Sequence, residues 1–168
     1  ILHWHHDRSV PMHAAFLPLV DRQVTIQPLW SAFEKDRAWF ERTRPDAFRS
    51  FLARVGELTG KTPKELREAP IVQRACTFAR LPELSGARYV HSYFFYDMSF
   101  MAMMAAWLLD LPRGITCYAD HMLQDSPWKL VALHIETCDL VVANAKAKFG
   151  IPEVKRGLVA AAGGELQD

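Results

Sequence analysis

Residues 86–148 read GARYVHSYFFYDMSFMAMMAAWLLDLPRGITCYADHMLQDSPWKLVALHIETCDLVVANAKAK, and the fold follows from how this stretch divides. Three short apolar runs alternate with two helical patterns. The first run, from Arg88 to Phe95, is rich in aromatic and β-branched residues and is led in by Ser85-Gly86. The second, Gly114 to Ala119, follows Leu111-Pro112-Arg113, and the third runs from Asp139 to Asn144. Runs this short and this apolar suit strands covered on both faces. Strand and helix in alternation mark βαβ units and a parallel sheet.

The connecting segments agree. Asp97 or Ser99 can cap a helix through Met98, Phe100, Met101, Met103, Met104, Trp107, Leu108 and Leu109, ended by Asp110 and Pro112. Its apolar residues go nearly all round, so it is expected to be buried. A second helix is expected near Ser126, with Pro127 at an early position. Trp128, Val131, Leu133 or Leu130, and Ile135 line one side, and Lys129 and Glu136 are left to solvent. The expectation is an α/β fold: a Rossmann-like parallel sheet with flanking helices in three layers (α/β/α), with residues 1–168 as one domain.

In such sheets ligands bind outside the carboxyl ends of the strands. That rule selects Phe94–Asp97, Tyr118–His121 and Asn144–Lys146. Tyr93, Tyr96, Asp97 and Tyr118 offer the hydroxyls, carboxylate and ring faces that suit a carbohydrate. Asp120 beside His121 pairs a carboxylate with an imidazole, a catalytic acid–base candidate; a helix cap by Asp120 with His121 at the surface is the structural alternative. Asn144 and Lys146, at a strand end entering a helix, suit an anionic group. Asp97 can equally serve only as an N-cap, Lys146 can be merely solvated, and His91, inside its strand, reads as a hydrogen-bonded core histidine.

The order VHSYFF, apolar helix, LDLPRGITCYADHM, LHIETCDLVVANAKAK resembles the amino-terminal domain of GT-B glycosyltransferases of the large retaining group. Leu109-Asp110-Leu111-Pro112 matches that family's LGIP element, Thr116-Cys117-Tyr118 its T-x-H element, and Cys138-Asp139-Leu140-Val141-Val142 its ADxVV element. The match spans about a third of the chain and departs at Tyr118, where the family has His, and at Asn144, where Ser is common. His121, three residues on, can take the place of that histidine. The resemblance implies an enzyme moving a sugar from a nucleotide-sugar donor, its co-substrate, to a carbohydrate or lipid-linked acceptor in an inter-domain cleft. No further cofactor is implied. The family's carboxyl-terminal donor domain, with its E-x7-E element, has no counterpart here. This chain is then the acceptor-side half, inactive alone, with peripheral membrane contact left open.

Composition narrows the alternatives. Half the residues are hydrophobic and 23% are charged, which argues against disorder. A formal net charge of +1 gives no field to draw nucleic acid or anionic lipid. The three cysteines, Cys76, Cys117 and Cys138, are widely spaced, as expected for buried thiols in a reducing cytoplasm. The apolar run at Phe100–Leu109 is too short to span a bilayer. The start has no basic segment ahead of an apolar one, so a signal peptide is not expected. A chain opening on Ile1 is expected to be part of a longer one.

That opening carries the competing function. His3-x-His5-x-Asp7 resembles the H-x-H-x-D-H metal motif of metallo-β-lactamase-like hydrolases, with Arg8 in the last position. Imidazoles two residues apart on an extended chain converge on one metal, whereas Arg8 would repel a second ion. The bland reading is a histidine-rich strand end or turn. A third reading is a non-catalytic α/β binding module.

Between these regions the sequence is helical. Ser31 with Glu34 forms a capping box for a helix through Phe33, Arg37 and Phe40. After Pro45 a second helix, Asp46 to about Leu58, uses Phe48, Phe51, Leu52 and Val55 as its buried stripe. Gly60-Lys61-Thr62 is not a phosphate loop, since the upstream glycine and strand are missing; Thr62 with Glu65, and Pro63 between them, starts a short helix instead. Ile71–Leu81 is a further helix, and Leu158–Gly164 is a last strand or a frayed end.

Overall fold

The computed structural model describes residues 2–3, 24–25, 30–81, 86–117 and 126–143. Its first helices follow from proline and glycine placement. α1 (Trp30–Thr43) runs into Arg44, and Pro45 opens α2 (Pro45–Thr59) at the position where a missing N–H costs nothing. Gly60, at φ 70°, closes α2 in the left-handed conformation that glycine adopts without strain. α1 begins one residue before Ser31, which therefore lies within the first turn and is not its N-cap. The expected stripe of α2 is observed: Phe48, Phe51, Leu52 and Val55 are all buried.

The capping box at Thr62 is also observed. Its hydroxyl accepts from the Glu65 N–H at 3.2 Å, and Glu65 Oε2 accepts from the Thr62 N–H at 2.7 Å. These bonds hold the Glu65 carboxyl below its ordinary range. The box starts α3 (Pro63–Glu68), and α4 (Pro70–Ala79) follows directly. Arg37 lies on the buried side of α1 because α3 meets its charge: Nη1 donates to the Arg67 carbonyl and to Glu68, while Glu41 bridges to Arg67 at 2.6 Å.

The described strands form two parallel sheets, one of β1 (Leu2–His3) with β2 (Val24–Thr25). The larger has β3 (Val90–Tyr93), β4 (Arg113–Thr116) and β5 (Leu140–Val142) in that order. α5 (Asp97–Leu109) joins β3 to β4, and α6 (Val131–Glu136) precedes β5. This is the alternation the sequence predicts, on a small sheet. One face, carrying Val90, Ile115 and Val141, meets the two helices: α5 packs on Val90, while Val131 and Ile135 of α6 pack on Ile115 and Val141. Burial on both faces holds for β4 alone; β3 ends on an exposed Tyr93 and β5 starts on an exposed Leu140.

α5 is the centre of the interior. Residues 99–106 and Leu108 are buried, as expected of a helix apolar all round, and its most extensive partner is α4. Phe100 joins the layers, edge-on to Phe51 of α2 at 5.8 Å and to Trp128 at 5.3 Å. The helix expected from Pro127 is broken. Pro127–Lys129 form a 3₁₀ turn in which Trp128 and Lys129 take φ of 54° and 56°. Two left-handed non-glycine residues cost of order 1–2 kcal/mol each, which packing of the Trp128 ring on Phe100 offsets. Glu136 is exposed, as expected, and its carboxylate accepts from Arg54 of α2 at 2.8 Å.

Candidate functional site

The carboxyl edge of the larger sheet is shaped by the turn between β3 and α5. Phe94 N–H still donates to the Thr116 carbonyl at 3.0 Å, but Phe94 then turns left-handed, φ 67°. Ser99, 1% exposed, holds the turn by directing its hydroxyl at the Tyr93 and Phe94 carbonyls, at 3.0 and 2.8 Å. The caps expected at the start of α5 are thus absent. Tyr96 occupies the N-cap position with no side-chain bond, Asp97 is the first helical residue, and Ser99 points back to the strand.

Tyr93, Tyr96 and Asp97 all lie exposed along this turn. Tyr93 is 57% and Tyr96 39% exposed, and the Asp97 carboxylate lies 4.0 Å from Arg74 Nη1. The Phe94 and Tyr96 rings stand 5.9 Å apart. Of the other residues singled out in the sequence, Tyr118, Asp120, His121, Asn144, Lys146, His5 and Asp7 lie outside the described residues. His3 is described by its backbone alone, as the second residue of β1.

On the sheet face opposite α5, the structure assembles a group that the sequence reading did not connect. Tyr89 hydroxyl lies 3.2 Å from His91 Nδ1, and His91 Nε2 lies 2.7 Å from Thr116 Oγ1. The His91 ring is flanked by Tyr89 at 5.9 Å and Tyr93 at 5.1 Å. His91 is therefore the hydrogen-bonded histidine expected, yet half-buried on an open face and not in the core. Burial, and then the charge of Arg113, lowers its pKa below the ordinary value. The legible signal was alternation: Tyr89, His91 and Tyr93 share one face of a strand.

Gly114 makes room for this group. A Cβ there would stand 1.8 Å from the Tyr89 hydroxyl and 2.8 Å from His91 Nδ1. In a Gly114→Ala variant Tyr89 is expected to swing into solvent and expose the imidazole. The His91 pKa should then rise toward its usual range, read by NMR titration of the ring. A titration matching the parent would contradict the packing described.

All three thiols are held in the neutral form by burial. Burial pushes Cys117 up to about 11 and raises Cys76 and Cys138 as well. Among the described residues no three His, Cys, Asp or Glu side chains are grouped to hold a metal ion, and no described helix is long and apolar enough to cross a membrane. Fold and edge together define an α/β protein with a small parallel sheet and a hydroxyl-rich aromatic edge. Compared with protein-family models, curated proteins and solved structures, the chain matches none.

Proposed function

We propose that this chain is the acceptor-side, Rossmann-like domain of a cytoplasmic GT-B glycosyltransferase, its carboxyl edge holding a carbohydrate or lipid-linked acceptor. The observation that carries the reading is the exposure of Tyr93, Tyr96 and Asp97 along one strand-to-helix turn at the end of a parallel strand. Ring faces pack against the apolar side of a sugar, and a carboxylate accepts from its paired hydroxyls. Asp120 and His121 are the proposed catalytic pair; Tyr118, Asn144 and Lys146 complete the acceptor and anion contacts. The nucleotide-sugar donor is held chiefly by a second domain.

The test is saturation-transfer NMR of the chain with alkyl glycosides and with nucleotide sugars. Glycosides should bind, weakened about tenfold by Tyr93→Ala, as expected for loss of one stacked ring at ~1.4 kcal/mol. Nucleotide sugars should bind more weakly. Absence of glycoside binding, or binding indifferent to Tyr93→Ala, would overturn the proposal. The competing hydrolase reading draws on the strand conformation of His3 in β1. Stoichiometric metal lost on replacing His3 and His5 would favour it.

A further inference from the structure

The helical half of the chain carries a groove in which no strand takes part. It has a volume of about 540 Å³ and is lined by residues of α2 and α3, with Glu41 near the end of α1. Pro45 and Pro63, the first residues of α2 and α3, lie on it together with Phe48, Leu52 and Ala53 of α2. Phe48 and Leu52, 4% and 5% exposed, form its base, while Ala53 and Pro63 are open to solvent. Arg49, Lys64 and Arg67 also line it, and the methylene stems of such residues extend an apolar surface while their charged ends stay wet. The volume falls within the ~300–1,000 Å³ of clefts that hold small ligands.

The charges around this groove are unevenly satisfied. Glu41 is paired with Arg67 at 2.6 Å and Asp46 with Arg49 at 2.6 Å. Glu65 is spent on the Thr62 N–H, and Glu68 meets Arg37 at 3.1 Å. Lys64, by contrast, is exposed on the groove and has no ion pair or side-chain hydrogen bond among the described residues. Arg42 and Arg44, next in the chain to Glu41 and Pro45, are likewise exposed and without side-chain ion pairs among the described residues. The carboxylates of this corner are thus engaged and the charge left over is cationic. An apolar base beside one unpaired ammonium fits an amphiphile with a single negative head. A multiply charged head would also meet the Glu41 carboxylate.

We propose that this groove binds a single-chain fatty carboxylate, its alkyl chain lying over Phe48, Leu52 and Ala53 and its head at Lys64. The site is separate from the carboxyl edge of the sheet and does not depend on the function assigned there.

The probes are octanoate, hexanoate and octylammonium, each below its micelle concentration, titrated into the whole chain and followed by NMR. Octanoate is expected to shift the Leu52 methyl and Phe48 ring resonances and leave those of Tyr93 in place, with a dissociation constant on the order of 1 mM, as befits a ligand of few atoms. Hexanoate should bind about fourfold more weakly, as expected when two methylenes are half-buried. Octylammonium should bind more weakly than octanoate. Lys64→Glu, at an exposed position without partners, should weaken octanoate about fivefold and strengthen octylammonium, while circular dichroism stays that of the parent. Ala53→Trp, also at an exposed position, should block the groove to both. Equal affinity for octanoate and octylammonium would overturn the proposal, as would a preference unchanged in Lys64→Glu. Equal binding of hexanoate and octanoate, shifts at Tyr93 in place of Leu52, or binding unchanged in Ala53→Trp would be as decisive against it.

Discussion

Acidification from pH 6.5 to about pH 4 is expected to remove about 3 kcal/mol of folding stability through His134 alone, a slope of ~1.4 kcal/mol per pH unit. His134 is fully buried, and burial, followed by the Arg113 charge, pushes its pKa down to about 3. The unfolded chain takes up a proton on this imidazole near pH 6.5, whereas the folded chain does not until about pH 3. In that window the unfolded state binds more protons, so lowering the pH favours it, and the full contribution of neutral His134 is present only above the unfolded value. Urea denaturation at a series of pH values measures the slope. His134→Gln keeps an acceptor for Arg113 but does not titrate, so its slope should be flatter by that amount. Parallel slopes in parent and variant would refute the assignment, and the other histidines are common to both.

Phe100→Ala should cost about 3–5 kcal/mol, a large share of the ~5–15 kcal/mol that stabilises an ordinary domain. Phe100 is 0% exposed and makes edge contacts with Phe51 and Trp128, so its loss opens a void between α2, α5 and the 3₁₀ turn. Trp128 and Lys129 hold left-handed backbone angles partly because that ring pair fixes them, and the truncation should release the turn. Phe100→Leu, closer in volume, should cost less than half as much. Chemical denaturation gives both numbers. A loss below about 1 kcal/mol in Phe100→Ala would mean the ring is not central to the packing.

What was legible in the sequence was local or periodic. Thr62 with Glu65 announces its own helix start, the Phe48–Val55 stripe its own buried face, and the three apolar runs their parallel strands. What escaped depends on partners distant in the chain. Arg113, between a proline and a glycine, stands ahead of the expected strand, but its bonds to Asp139 and Cys138, some 25 residues on, accompany its burial as the first residue of β4. The link between His91 and Thr116 needs the register of β3 on β4, which no single strand contains. The break at Trp128 needs Phe100. At the carboxyl edge, the rule that ligands meet strand ends selected Phe94–Asp97, and these residues do form the turn that follows β3. It did not foresee that Ser99 would hold the Phe94 turn, because that hydroxyl looks equally fit to cap a helix.

The interior shared by α4, α5 and the sheet face has a consequence for how the chain can be divided. α5 is enclosed by α2 and α4 on one side and by β3 and β4 on the other, in one continuous core from Phe40 to Leu133. The strand-bearing half is therefore not a portable module. Grafted alone onto another scaffold, it would present the flank of α5 as an oily surface seeking a substitute partner. Whatever meets the carboxyl edge is thus underwritten by the helices behind it, of which α4 reaches the edge through Arg74.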